Sequence, residues 1–309
     1  MTKAGDVIAA DIGGTNMRLA RVQADGHIVQ EVRVQTNFNQ LSQLSSEETA
    51  QSIVDSIAHA AQPLLDDNIK GLGIGFPGFF MGDSGIVASS PNIPQLHHFK
   101  LAESLSKKIC LPVSAQNDAL CAAMGEHTFG AGQGMDNLLH ITLGTGIGGG
   151  LVLNNTPYTG ESGMAMEFGH LRVVHHDDAR LCGCGNHGCI EAYASATAIN
   201  ARYAEVSGES VETKDIFERA TRGDYDAKAI IESAGSYLGQ AIAESIKLLD
   251  IHTVTISGGM IGAWEILHPN IMVSLDKNII PPLQGKIKVL PSVLHDNAGL
   301  LGAAALLYK

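Results

Sequence analysis

The sequence predicts a duplicated α/β protein in which two similar lobes close around one ligand, and three observations predict it. Residues 6–12 (DVIAADI) have a buried-strand pattern, broken by Gly13-Gly14-Thr15-Asn16 and followed by a second strand, Met17 to Val22, and an Asp25-Gly26 turn. The same order returns about 131 residues later: Leu138 to Leu143, a Gly144-Thr145-Gly146 turn, Gly150 to Leu153 and an Asn154-Asn155 turn. Each copy then leads through a helix into a strand that ends on glycines, GLGIGFPG (71–78) and VTISGGMIG (254–262). Repetition of element order as well as composition points to one unit used twice.

The elements follow in order. Ile28 to Val34 alternates as a strand. Ser45 and Glu48 have capping-box spacing, and the helix behind them gathers Ile53, Val54, Ile57, Ala60, Ala61 and Leu64 on one face. Segment 83–98 is rich in turn residues and predicts a surface loop centred on Ser90, Pro91 and Asn92. A helix over about 99–108, a strand at 111–115 and a helix from about 118 to 129 follow, and a long helix spans about 226–249. These elements divide the chain into a small α/β lobe, 1–116, completed by a C-terminal helix at about 296–309, and a large α/β lobe, 117–295.

Composition narrows the function. The chain has 309 residues and a net charge of -12 with no basic run, which argues against nucleic-acid and membrane surfaces. Its 35 glycines cluster in short loops, a pattern suited to backbone approaching a ligand. No apolar signal segment or spanning run is present, so a soluble cytoplasmic protein with reduced thiols is expected.

The most specific stretch is 166–191, MEFGHLRVVHHDDARLCGCGNHGCIE. Cys182, Cys184 and Cys189 have C-x-C-x4-C spacing, with His170 twelve residues upstream and glycines at 183, 185 and 188 permitting sharp turns. Such thiolates can converge on one tetrahedral ion, and His170 would complete a closed structural zinc site. A disulfide, or buried thiols beside an unrelated histidine, are the alternatives. A metal tying 170 to 189 would also hold the carboxylates Glu167 and Glu191 in one place. Both glycine loops lie outside this stretch, so loss of the metal is expected to leave them undisturbed.

Two phosphate-binding motifs can be tested directly. GTGIGG (144–149) matches G-x-G-x-x-G, but it opens onto Leu151-Val152-Leu153 and a turn rather than a helix, so the dinucleotide reading fails on context. No G-x-x-x-x-G-K-[ST] is present. What remains is a pair of hairpin loops, 13–16 and 144–146, whose N–H groups and threonine hydroxyls can grip phosphate oxygens or serve as ordinary tight turns. Asn117-Asp118 follows a strand and opens a helix, where either residue suits a cap. In a phosphoryl-transfer enzyme a carboxylate there can take the proton of the attacking hydroxyl.

The motifs DIGGTN (11–16), ND (117–118), LGTGIGGG (143–150), EFGH (167–170) and CGCGNHGCIEAYAS (182–195) resemble, in order and across essentially the whole chain, the ROK family of bacterial sugar kinases and repressors. The resemblance implies an actin-like, ribonuclease-H-like ATPase fold with sugar and ATP between two lobes, and it implies ATP, Mg2+ and structural Zn2+ as cofactors. It implies Asp118 as general base, with Glu167, His170, Glu191 and Asn117 on sugar hydroxyls and Gly78, Ser90 and Asn92 as further sugar contacts. Gly13, Gly14, Thr15, Asn16, Gly144, Thr145 and Gly146 would hold ATP phosphates, Gly258 and Gly259 would lie near the adenosine, and Asp11 near the magnesium. Within the family, 91–101 and 117–132 look closest to the glucokinases, while the zinc segment resembles N-acetylmannosamine kinases equally. FFMGDSGIV (79–87) departs from the family pattern after the Pro-Gly turn, which keeps N-acetylmannosamine, N-acetylglucosamine, fructose and allose open as acceptors. A sugar-sensing repressor and a non-catalytic sugar-binding or assembly protein are the other classes. A homodimer or homotetramer is expected.

Overall fold

The computed structural model describes residues 5–13, 15–36 and 38–308. In chain order the elements are β1 (Val7–Ile12), β2 (Asn16–Val22), β3 (Ile28–Gln35), α1 (Ser46–Ala61), β4 (Leu72–Phe76), β5 (Phe79–Phe80), β6 (Val87–Ser89), β7 (His97–Phe99), α2 (Leu101–Ile109), β8 (Val113–Asn117) and α3 (Asp118–Phe129). They continue with β9 (Leu138–Leu143), β10 (Ile147–Leu153), β11 (Thr156–Pro157), α4 (Glu191–Ala194), α5 (Ala196–Ser207), α6 (Thr213–Thr221), α7 (Tyr225–Leu249), β12 (Thr253–Ser257), α8 (Trp264–Asn278), β13 (Lys288–Pro291) and α9 (Ala298–Ala305).

The duplication is visible in the sheets. One has the order β3-β2-β1-β4-β8 and another β11-β10-β9-β12-β13, so the strands correspond one to one. In the first, β1 runs antiparallel to β2 and parallel to β4, which is parallel to β8. In the second, β12 is parallel to both β9 and β13, and β10 is antiparallel to β11. The chain divides into two compact units, Met1–Asp136 with Gly150–Ala165 and Val293–Lys309, and Asn137–Gly149 with Met166–Ser292. This division differs from a boundary at 116/117. Residues 117–136 group with the first unit because β8 runs straight into α3 and α3 packs on α9 backbone to backbone. A Cβ on Gly302 of α9 would fall 1.5 Å from the Cys121 carbonyl oxygen, so only glycine permits that crossing.

In the first unit both faces of the sheet are covered. Ile8, Ala10 and Ile12 of β1 join Ile53, Val54 and Ile57 of α1 in one cluster, while Val7 and Ala9 join Leu300, Leu301 and Ala304 of α9 in another. That alternation is the period-2 rule of a strand buried on both sides. The Ser45–Glu48 capping box forms, each side chain accepting from the other residue's backbone N–H. Segment 83–98 is not a plain surface loop. It contributes β6 and the start of β7 to a three-stranded sheet, β5-β6-β7, and Ser90 is buried. Among the described residues no helix is long and apolar enough to cross a membrane.

Candidate active site and metal centre

Asp118 is the first residue of α3, at the junction where β8 becomes helix. The helix cap is its neighbour: Asn117 Oδ1 accepts the N–H groups of Ala119 at 2.9 Å and Leu120 at 3.2 Å, satisfying two donors that a helix start leaves open. The Asn117 amide donates to the Gly78 carbonyl at 3.1 Å. Asp118 is thereby free of the capping task, although its Oδ1 also accepts from Ala119 N–H at 2.9 Å. Asp118 is half-buried, and desolvation pushes its pKa up, the Ala119 N–H opposing this. A raised carboxyl suits a group that must take up a proton.

The other named positions of the first unit lie on neighbouring elements. Ser90 Oγ donates to the Pro77 carbonyl at 2.7 Å, so it braces the Pro-Gly turn, and a Cβ on Gly78 would lie 3.4 Å from Ser90 Cβ. Asn92 is exposed on the following turn. Asp11, the penultimate residue of β1, pairs with Arg18 of β2, and its pKa is raised to about 6 by burial, then by the Asp118 charge, against the pull of Arg18. Arg18 reaches the Asp296 carbonyl at 2.6 Å and Asn297 Oδ1 at 2.8 Å, pinning the turn before α9. The hairpin loop closes with Gly13 N–H on the Asn16 carbonyl at 2.8 Å, Thr15 and Asn16 are exposed, and Gly14 lies outside the described residues.

In the second unit the four predicted metal ligands come together, each offering an atom within 4.8 Å of the others. Cys184 and Cys189 sulfurs are 3.7 Å apart and Cys182 Sγ is 3.6 Å from His170 Nδ1. A tetrahedral zinc with Zn–S of about 2.3 Å and Zn–N of about 2.0–2.1 Å has edges of about 3.8 and 3.6 Å, so the donor set fits the ion. The sulfur separation is far beyond a disulfide of about 2.05 Å, and all five cysteines are free. Positive-φ Gly185 and Gly188 make the turns, and Cys182 N–H bonds the Asn186 carbonyl at 2.8 Å. The second ring nitrogen, His170 Nε2, lies 3.7 Å from Glu167 Oε2, one short 3-10 turn earlier.

Glu191 opens α4 two residues after Cys189. Its Oε2 accepts the Ile147 N–H at 2.9 Å, and its Oε1 lies 3.7 Å from Cys182 Sγ. The expectation that the 144–146 loop stands apart from the cysteine segment therefore does not hold. The loop itself closes with Gly144 N–H on the Gly146 carbonyl at 3.0 Å, and α5 clamps it: Ala196 N–H donates to Gly144 at 2.9 Å and Thr197 Oγ1 to the Thr145 carbonyl at 2.8 Å. Gly258 has φ +95, and a Cβ there would sit 2.2 Å from the Leu143 carbonyl, which seats the second glycine turn against the root of this loop; Gly259 has open space around it.

Several supporting residues escaped the sequence. Gln116 donates to the Gly82 carbonyl at 3.2 Å and accepts Asn117 N–H at 3.0 Å, bracing the end of β8. Buried His140 bridges Thr255 Oγ1 at 2.8 Å and Ser257 Oγ at 2.9 Å, joining β9 to β12 just before both glycine turns. Burial lowers its pKa to about 3, so it stays neutral there. A lone histidine inside the apolar strand LLHITL, with Thr and Ser alternating in TVTIS, was the available signal.

Comparison with known proteins finds relatives along nearly the whole chain. The ROK family model matches residues 7–309. The chain is 34% identical to a glucokinase of Thermotoga maritima over 97% of this chain and 96% of that protein. It is 31% identical to an N-acetyl-D-glucosamine kinase of Mannheimia succiniciproducens, over 96% and 97% of the two chains. The structure of a ROK family glucokinase from Streptomyces griseus in complex with glucose and AMPPNP superimposes with a TM-score of 0.80 at 32% identity, covering 98% of this chain and 99% of that one.

Proposed function

The chain belongs to the ROK family and has its α/β, actin-like ATPase fold, and on that basis we propose that it is an ATP-dependent kinase that converts glucose to glucose 6-phosphate. The observation that carries this reading is the match along nearly the whole chain to relatives named glucokinase. The half-buried Asp118 at a strand-to-helix junction, its pKa raised, supports it.

In this reading Asp118 takes the proton of the sugar's primary hydroxyl as that oxygen attacks the γ-phosphorus in line. The hairpin loops at 13–16 and 144–146 hold the phosphates through backbone N–H groups and the Thr15 and Thr145 hydroxyls, and Gly258-Gly259 lies at the adenosine. Asp11 would hold the magnesium, which when bound would neutralise phosphate charge. Asn117, Gly78, Ser90, Asn92, Glu167, His170 and Glu191 orient the sugar. Ser90, Asn117 and Glu191 do so partly as braces, since their polar atoms already hold Pro77, Gly78 and Ile147. The Cys3His set would hold structural zinc, and with four protein ligands it would leave no position for substrate. With His170 Nδ1 on the cysteine side, Nε2 keeps its proton and can donate to a hydroxyl beside Glu167. The two units are read as the kinase's two lobes, and thiolate ligation fits a reducing cytoplasm.

An N-acetylhexosamine acceptor is the second reading, favoured by the N-acetyl-D-glucosamine kinase relative. A panel of glucose, fructose, allose, N-acetylglucosamine and N-acetylmannosamine with Mg-ATP, read by ADP release, separates the two. Glucose should give the highest kcat/KM. A higher value for an N-acetylhexosamine moves the acceptor assignment while leaving the kinase assignment standing, and no release with any sugar overturns both.

A further inference from the structure

Glu191 is engaged in two directions at once. Oε2 holds the N–H of Ile147, the residue directly after Gly146, at 2.9 Å. A Cβ on Gly146 would come within 2.5 Å of that same oxygen, so the carboxylate lies directly beneath the loop's last glycine. The clamps from α5 hold the loop through the carbonyls of Gly144 and Thr145. The N–H at the loop's exit is held by Glu191.

The opposite side of Glu191 belongs to the cysteine cluster. Cys189 precedes it by two residues, its carbonyl accepting Ala192 N–H at 3.0 Å, and Oε1 faces Cys182. A thiolate at Cys182 gives up the S–H donor, so in the metal-loaded protein the backbone through Cys189 carries the connection.

We propose that Glu191 is a positioning residue that couples the Cys3His cluster to the 144–147 loop, so that order at the cluster sets nucleotide affinity as well as sugar affinity. This rests on the reading of 144–146 as a phosphate-gripping loop. A charged acceptor held in place on a backbone N–H fixes that N–H for the ligand without reorganisation. Releasing it lets the loop's exit relax and lowers affinity for the phosphates.

The test uses Mg-ADP affinity, metal content per chain and amide hydrogen exchange of 144–149, in the wild type and in Cys184→Ala, Glu191→Ala, Glu191→Gln and the Cys184→Ala/Glu191→Ala double variant. Cys184 is exposed and touches neither Glu191 nor the loop in any described hydrogen bond. Cys184→Ala should lose metal, raise the Kd for Mg-ADP about tenfold and speed exchange at 147, and Glu191→Ala should do the last two without losing metal. The double variant should bind no worse than the weaker single variant, because both act through one contact. Glu191→Gln, which keeps an oxygen for Ile147, should stay within about threefold of wild type. Multiplying effects in the double variant, a Glu191→Gln protein as weak as Glu191→Ala, or unchanged exchange after metal loss overturns the proposal. If Glu191→Ala does not fold, exchange at 147 before and after chelation of the wild type decides alone. A wild type that binds no Mg-ADP contradicts the kinase reading instead, and the exchange measurement still decides the coupling.

Discussion

The Asn117 amide donates to the carbonyl of Gly78 at 3.1 Å while its oxygen caps α3. One side chain thus joins the Pro-Gly turn to the helix that presents Asp118, and its two halves can be separated experimentally. Asn117→Asp keeps the capping oxygen and loses the donor to Gly78, so the stability should stay near wild type while the sugar KM rises. Asn117→Ala loses both and should cost about 1 kcal/mol or more in urea unfolding as well. Equal stability for the two variants would show that the cap contributes nothing here.

The metal centre should appear as one zinc per chain in the purified protein. Because His170 and Glu191 are held from the cluster side, Cys184→Ala should raise the sugar KM about 10–100-fold, the usual scale for losing a group that orients a ligand-binding shell. Metal analysis beside the sugar KM checks this. A chain isolated without zinc, or an unaltered KM in the variant, contradicts it.

Much of this was legible because it is punctuated or periodic. The strand, glycine loop, strand repeat predicted the paired sheets, and the cysteine spacing predicted a cluster that the backbone then closes through Gly185 and Gly188. What escaped has a physical reason in each case. Strands β5 to β7 have only two or three residues each and sit among turn formers, too short for any period to show. α8 carries Pro269 inside it, a residue that ordinarily argues against a helix. The tie between Glu191 and Ile147 joins positions 44 apart, and such proximity exists only after the chain has folded.

Asp11 gives a pH-dependent stability effect. Its pKa in the folded protein is about 6, above the ordinary 3.8, so the folded state holds this proton more tightly than the unfolded chain. Its ionisation above pH 6 therefore costs stability, and the cost shrinks as pH falls from 6 toward 3.8. Two pKa units correspond to about 3 kcal/mol, and partial exposure reduces this to about 1–2. Without magnesium, Asp11→Asn should be more stable than wild type by that amount at pH 7.5, with a smaller gain at pH 4.5, in urea unfolding. A destabilised variant at pH 7.5 would mean that the Arg18 attraction outweighs burial.

The central claim is that Asp118 is the base of a glucose kinase, and glucose-dependent ADP release by wild type and Asp118→Asn tests it most directly. Asparagine keeps the size and the oxygen that accepts Ala119 N–H but removes the basic carboxylate. Wild type should release ADP only when glucose is present, and Asp118→Asn should lose about 10²–10⁴ in kcat with KM for glucose changed far less. A variant turning over within threefold of wild type, or a wild type whose ADP release ignores glucose, would contradict the account.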